Sequence, residues 1–555
     1  MATLVLVPLL CALYEMMVTR VLGLPLDLTL AAVFAVGGFL AVGGILRTGG
    51  RLTLPSGATL GVWAAPWLGA AVWFGTLIAS HLISGASALA WITRGDSANN
   101  LLFARLIVEN NGITTGAAEN PVPLPAGLLA LVMASNRHGV SLAATVRSDV
   151  GAFAQVWMLL IALSCLLAGI AAASLVERQR TVIVALVGAG ASLLPLSWFI
   201  SGISLEYGFV NVNVLLPVVL AAWIAYSNVR EHPDWVLGLL CVAGTLVLAV
   251  WSPLVVVPAA LALMVVILKW KAILATRGIA LVLLVAAFFQ LAVYGITLTL
   301  PTFLGERGSL AAVGGIYPFP PALLGALVLL IICLAAVRGG QDIFWGTMAL
   351  IAGLGAGLGV LLFSNRSQAT LWGYYPQKFL WLFAVVVLIL VAGFAGDLMG
   401  RATGPGPLRW IAFAALAGAF ASTLSLTNFV SGYDAKNVVA RVLTGDSFGQ
   451  GDAATERFLK LAGEPAPTVL WHSGDDNEGQ INFWLLQILS EDQPEDGFPL
   501  RYLAYTADQK DIGSLCSIIK LTGPGTVVLT AESSLAADLG AACPADAKKV
   551  VVKMD

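Results

Sequence analysis

Residues 94–125 read RGDSANNLLFARLIVENNGITTGAAENPVPLP and follow a long apolar run, 61–92. Asp96 therefore stands within a few residues of the point where a helix of membrane-spanning length ends. Asn99, Asn100 and Arg105 lie beside it in sequence and can hydrogen-bond a sugar or hold the carboxylate in place. They belong to an amphipathic segment whose apolar part is Leu101, Leu102, Leu106 and Val108, with Glu109 at its end. The loop closes on Pro121, Pro123 and Pro125, which cannot continue a helix through their own first turn. A carboxylate at the water–membrane boundary can accept a proton from a substrate with a polar head and a lipid tail. The plainer reading is a solvated helix end followed by a surface helix. The loop alone leaves both open.

A second group of polar residues recurs in later loops. Glu206 and Tyr207 lie in SGISLEYGFVNVN, Glu306 and Arg307 in TFLGERG, and Tyr317 in GGIYPFPP. The longest such run is RSQATLWGYYPQK, with Arg366, Tyr374, Tyr375 and Lys378. Cations beside an aromatic pair suit a lipid phosphate: the cation binds the phosphate while the rings sit at headgroup depth. For any one of these residues, snorkelling or an ordinary aromatic belt explains as much.

The elements that must position these groups follow from composition. The 555-residue chain is 59% hydrophobic and 11% charged, with mean hydropathy +0.90, which places it among polytopic membrane proteins. A net charge of −2 gives no reason to expect nucleic acid. Residues 1–23 lack a basic stretch ahead of their apolar run, so no cleavable leader is expected. About thirteen spans are expected, near 3–21, 28–46, 63–92, 151–175, 182–204, 209–226, 235–251, 253–268, 279–299, 319–337, 343–363, 378–396 and 408–426. Away from the span ends the ionisable residues are few, Glu15 and His81, with Asp397 at the edge of the span 378–396, and Glu15 and His81 could pair.

Basic residues set the orientation. With the N-terminus inside, Arg47, Arg51, Arg178, Arg180, Arg230, Lys269, Lys271, Arg277, Arg338, Arg401 and Arg409 all fall in cytoplasmic loops. The segment 121–135 is too short and too rich in proline to cross, so it is expected to re-enter or lie on the membrane. Asp96, in a first long outer loop spanning 93–150, is then extracytoplasmic.

The chain divides into a membrane part, 1–430, and a C-terminal part, 431–555, with alternating strand and helix patterns and no spanning segment. Strands are expected at 468–472, 500–505, 526–530 and 549–553, and helices at 455–462, 480–489, 510–521 and 533–539. Cys516 and Cys543 are the two cysteines of this part, and in an oxidising compartment a single pair suggests a disulfide.

A lone acidic residue in a long first outer loop, amphipathic helices there, a dozen or so spans and a C-terminal outer domain together resemble the GT-C class of glycosyltransferases. The order Gly95-Asp96, Asn99, Ala104-Arg105 and a proline-rich turn is similar to the first-loop pattern of actinobacterial arabinofuranosyltransferases. The stretches LEYGFVNVNVLLPVVLAAW and YYPQK resemble later segments of those enzymes. The chain departs from the pattern in one respect: many members carry paired acids in this loop, whereas Asp96 stands alone until Glu109. The resemblance implies inverting transfer of a sugar, arabinofuranose among the candidates, from a polyprenyl-phosphate donor to a cell-envelope glycan, at the plasma membrane. It implies Asp96 as general base, with Arg366, Tyr374, Tyr375, Lys378 and Arg105 on the donor. Asn99, Asn100, Glu206 and Tyr207 would then face the acceptor. No metal-ligand set is assigned; no cofactor is certain, and a divalent cation stays open. A lipid-linked glycan flippase and a glycan polymerase are the alternatives.

Overall fold

Long apolar runs become helices because a bilayer offers backbone N–H and C=O groups no partner except each other. The computed structural model describes residues 1–26, 37, 62–84, 89–113, 122–177, 180–197, 202–305, 316–338, 340–401, 452–493 and 498–555, with a few single positions and pairs between 406 and 442. Among the described residues, eight helical stretches are long and apolar enough to cross a membrane: Ala2–Leu22, Val62–Leu82, Ala144–Ala173, Pro233–Leu274 (two consecutive helices), Gly278–Thr299, Pro321–Arg338, Gln341–Ser364 and Tyr374–Arg401. The protein is a helical membrane protein. Along Gly278–Tyr294 the large apolar side chains of Ile279, Val282, Phe288 and Phe289 are each more than 60% exposed, a face that suits lipid and not water.

The expected spans are recovered unevenly. Those at 28–46 and 408–426 lie outside the described residues, apart from isolated positions. The run 63–92 ends as a helix at Ser84, and Leu89–Ile92 are turn residues. The regions 182–204 and 209–226 form the shorter helices Thr181–Leu193 and Val210–Tyr226. The two expected spans at 235–268 are separate helices, Pro233–Trp251 and Val256–Leu274. They are broken where Trp251 turns extended (φ −162°, ψ 90°) two residues before Pro253. The proline-closed segment becomes the 13-residue helix Leu124–Asn136, which at about 1.5 Å per residue is roughly 20 Å long and too short to span.

At the centre runs Tyr374–Arg401, buried along its apolar length and packed on Leu142–Ala173, Thr181–Leu193 and Pro321–Arg338. Its ends differ in chemistry. At one end Asp397 is buried against Arg338 (3.3 Å) and Arg401 (2.9 Å) and accepts the Glu177 N–H (2.9 Å). Arg230 (2.7 Å) and Lys269 (3.0 Å) similarly enclose Asp342. Toward the other end, about 35 Å and 30 Å from Asp397 by helical rise, are Tyr374 and Lys378. The expected Glu15–His81 pair is not formed. The Glu15 carboxylate has no hydrogen-bond partner among the described residues, and His81 lines a separate cleft with Ser80, Trp91 and Met158.

The C-terminal part is a small α/β unit with a parallel sheet of three strands in the order β1 (Thr468–Leu470), β2 (Val527–Thr530) and β3 (Val551–Met554). Helices Glu478–Leu489, Ile512–Thr522 and Leu535–Ala542 occur in the connections, as parallel neighbours require. One expectation fails here: residues 500–505 are not a strand but the helix Pro499–Thr506. Leu500, Leu503, Ala504 and Ala507 turn inward at helical spacing, while Tyr502 and Tyr505 stay exposed. Pro499 also sits in the first helical turn, where its missing N–H costs nothing.

Cys516 and Cys543 are joined by a disulfide that ties the helix Ile512–Thr522 to the turn after Leu535–Ala542. Closing a loop of sequence separation 27 is worth about 3–4 kcal/mol on the chain-entropy account. Cys516→Ser is therefore expected to lower the unfolding midpoint of the C-terminal domain while the helical bundle stays folded. Non-reducing mass spectrometry checks the premise, since two alkylatable thiols in the folded protein would remove it.

Candidate functional site

Asp96 is placed by two glycines. Gly95 (φ +44°) and Gly208 (φ +75°) face each other across the junction of the first loop and the single turn Ile203–Tyr207. A Cβ on Gly95 would lie 2.6 Å from the Tyr207 carbonyl oxygen, and one on Gly208 would lie 2.3 Å from the Ser97 nitrogen. No side chain larger than hydrogen fits at either point. The close approach lets the Asp96 N–H donate to the Tyr207 carbonyl at 3.0 Å.

Asp96 then occupies the N-cap position of the helix Ser97–Glu109, where an aspartate ordinarily accepts an N–H from the first turn. It does not. Its two oxygens accept instead from two tyrosine hydroxyls, Oδ2 from Tyr374 at 2.7 Å and Oδ1 from Tyr505 at 2.9 Å. Tyr374 starts the central membrane helix, whereas Tyr505 belongs to the C-terminal domain. The carboxylate of the first loop is thus held from two other parts of the chain.

Around it lies a cleft of about 380 Å³. Gly95, Asp96, Tyr207, Phe209 and Tyr374 form one wall, and Gly479, Gln480, Phe483 and Tyr505 of the C-terminal domain form the other. The rings are held by each other. Tyr207 stacks on Phe209, Phe209 meets Tyr374 edge to face, and Phe483 does the same with Tyr505, at centroid separations of 5.0–5.5 Å. Tyr207 also accepts the Tyr317 N–H at 3.2 Å through its hydroxyl. The next backbone groups are fixed from the central helix: Trp381 donates to the Tyr317 carbonyl and Gln377 accepts from the Phe319 N–H, both at 2.9 Å.

Lys378 follows Tyr374 by four residues and so lies on the same helix face. Its ammonium is buried, 3.8 Å from the centroid of Phe209 and within 6 Å of those of Tyr374 and Trp251. Three rings lower the cost of burying that cation but do not cancel its charge. Among the described residues no carboxylate is ion-paired to it, and Asp96 is the one whose charge it feels.

The other expected site residues take different positions. Tyr375 packs on Trp251 and on Tyr374. Arg366 is exposed, lies 3.8 Å over the Phe363 ring and donates to the Phe363 carbonyl, so it stands apart from the cleft. Arg105 is committed elsewhere: it pairs with Asp149 and, at 2.6 Å, with Glu491, while Arg137 holds Asp149 from the other side. Glu491 is pushed up from the usual carboxylate range by burial first and then by its hydrogen bond with Glu109. This cluster is a joint between the first loop and the C-terminal domain. Arg147 with Glu456, and Thr93 with Thr455 at 2.8 Å, extend it.

Asn100 donates from its side chain to the Asp96 carbonyl at 3.0 Å, which braces the backbone and not the carboxylate. Asn99 bridges to the C-terminal domain, donating to the Tyr505 hydroxyl and accepting from Arg501. Glu206 lies in the turn Ile203–Tyr207, and its side chain is outside the described residues. No three His, Cys, Asp or Glu side chains among the described residues converge so as to hold a metal ion.

The sequence reading missed Phe209, Gln480, Phe483, Arg501 and Tyr505. Only the last two carried a signal. At helical spacing Arg501 and Tyr505 share one face of Pro499–Thr506, which a strand reading conceals. The cleft unites a carboxylate able to take a proton with aromatic surface able to pack an apolar or sugar face, and Lys378, a cation able to hold an anion, is buried against the Phe209 and Tyr374 rings of its wall. Comparison of the chain with protein-family models, with curated proteins and with solved structures finds no match.

Proposed function

We propose that this protein is a membrane glycosyltransferase of GT-C-like architecture that moves a sugar from a polyprenyl-phosphate donor to a glycan acceptor with inversion. The observation that carries the proposal is Asp96: an N-cap aspartate that caps nothing and points its carboxylate into a cleft between membrane and C-terminal domain, next to a buried lysine. The Asp96 oxygens accept from Tyr374 and Tyr505 instead of from its own helix, which sets the carboxylate at the cleft.

In the proposed step the acceptor hydroxyl oxygen attacks the anomeric carbon from the face opposite the phosphate. The bond from that carbon to the phosphate oxygen breaks, and polyprenyl phosphate departs with the electron pair. Asp96 takes the hydroxyl proton, and Lys378 offsets the charge gathering on the leaving phosphate. The apolar helix surfaces beside the cleft suit the polyprenyl tail. Arabinofuranose is among the candidate sugars, and a cell-envelope glycan is the proposed acceptor.

We further propose about thirteen spans, with the N-terminus cytoplasmic and the C-terminal domain outside the plasma membrane. The grouping of Arg230, Lys269, Arg338 and Arg401 at the helix ends remote from Asp96 supports this. A C-terminal reporter that fluoresces only in the cytoplasm is expected to stay dark, and a bright one would reverse the orientation. The activity itself is tested with protein reconstituted in lipid and a panel of labelled polyprenyl-phosphate sugars, scoring transfer to an oligosaccharide and the anomeric configuration of the product. No transfer from any of these donors, or a product of retained configuration, rejects the proposal.

A further inference from the structure

Asp96 receives its Tyr505 hydrogen bond at the end of a chain of donors: Arg501 to Asn99, Asn99 to Tyr505, and Tyr505 to Asp96. The direction of this chain is fixed at both ends. A guanidinium has no acceptor, so the Asn99 atom facing it must be the carbonyl oxygen. The Asn99 amide nitrogen is then turned to Tyr505 and occupies a lone pair of its oxygen. The phenol hydrogen is left one acceptor, Asp96 Oδ1. Arg501 itself is seated 5.0 Å over the Phe103 ring, one helical turn beyond Asn99, and Phe103 meets Phe498 edge to face. Half of the Tyr505 side chain is exposed, but its hydroxyl is turned into the cleft. Burial there, and next the neighbouring carboxylate, push the phenol well above its ordinary range, so it stays a donor.

We propose that Arg501 is a positioning residue which, through Asn99 and Tyr505, aims the Asp96 carboxylate, so that the C-terminal domain completes the reaction site. This rests on the transfer reaction proposed above and adds a specific role for the domain. Tyr505 and Tyr374 each engage one carboxylate oxygen, and with both in place the carboxylate plane cannot rotate. Each oxygen keeps a lone pair for the incoming proton. Loss of Arg501 frees the Asn99 amide to flip, and a flipped amide presents its oxygen to Tyr505. The phenol can then donate to Asn99 instead of Asp96, and the carboxylate loses one of its two guides.

The test is a double-mutant cycle between Arg501→Ala and Tyr505→Phe in the full-length protein. If the relay works as one unit, each variant lowers kcat by roughly tenfold, about the net worth of one hydrogen bond. KM for the donor stays unchanged, and the double variant is no worse than either single one. Arg501→Lys keeps a cationic donor and is expected to recover part of the loss. Hydrogen–deuterium exchange supplies a readout that needs no substrate. Arg501→Ala is expected to speed exchange in the first turns of Ser97–Glu109, with no further change when Tyr505→Phe is added, while β1–β3 keep their protection. Effects that multiply in kcat and add in exchange overturn the relay. If the wild-type protein transfers no sugar, the transfer reaction fails, and the exchange cycle decides the relay alone by the same criterion.

Discussion

Asp96→Asn is expected to lower sugar transfer by about 10²–10⁴-fold, the usual contribution of a positioned general base, while donor binding and folding persist. The substitution is nearly isosteric. Its remaining carbonyl oxygen still accepts from Tyr374 or Tyr505, and the other hydroxyl turns to accept from the new amide. What is lost is the ability to take up a proton. The Gly95–Gly208 contact and the N–H bond to the Tyr207 carbonyl involve only backbone, so the loop keeps its place. The measurement is single-turnover transfer beside equilibrium donor binding. Transfer at near wild-type rate puts the base elsewhere, with Glu206 the first residue to examine. Donor binding that falls in parallel with the rate gives Asp96 a binding role in place of a chemical one. A flippase, by contrast, loses little from so small a change.

Lys378→Ala is expected to weaken donor binding by about a hundredfold, since a charge-assisted contact to phosphate is worth on the order of 2–3 kcal/mol. Lys378→Met separates this role from packing. Methionine fills most of the same volume among Phe209, Tyr374 and Trp251 and brings no buried charge. A cation enclosed by rings without an ion-paired carboxylate costs free energy, so removing its charge should leave the melting temperature unchanged or raised. The expected outcome is a stable Lys378→Met protein that no longer holds the donor. If that variant unfolds early and the remaining folded fraction binds donor normally, Lys378 is a structural residue. The phosphate would then belong to another cation, such as Arg307, which lies outside the described residues. Arg105 is a poorer substitute, because Asp149 already pairs with it and Glu491 accepts from it.

Much of this arrangement was legible in the sequence, because it depends on local chemistry. Apolar length selects membrane helices, since the bilayer leaves backbone groups no other partner. The pairing of Tyr374 with Lys378 follows from four-residue spacing, and the need for glycine at position 95 sits next to the acid it serves. The alternation after residue 431 foretold a small α/β unit, and two cysteines in it foretold their bond, whereas the parallel order of its strands came from the structure. Other features were decided by tertiary structure. Arg105 and Arg366 have the right charge for a phosphate, yet nothing in the sequence says that Asp149 and Glu491 claim the first and that the second lies over Phe363, apart from the cleft. Tyr505 lies 409 residues from the aspartate it touches. Its place depends on the docking of a whole domain, and on a helix where alternation suggested a strand, because the buried face of Leu500, Leu503 and Ala504 outweighs the β preference of its tyrosines. Residue type and spacing fix what a side chain can do within a turn or two of its neighbours. Which distant partner it meets is set by the packing of surfaces that are contiguous only once the chain has folded.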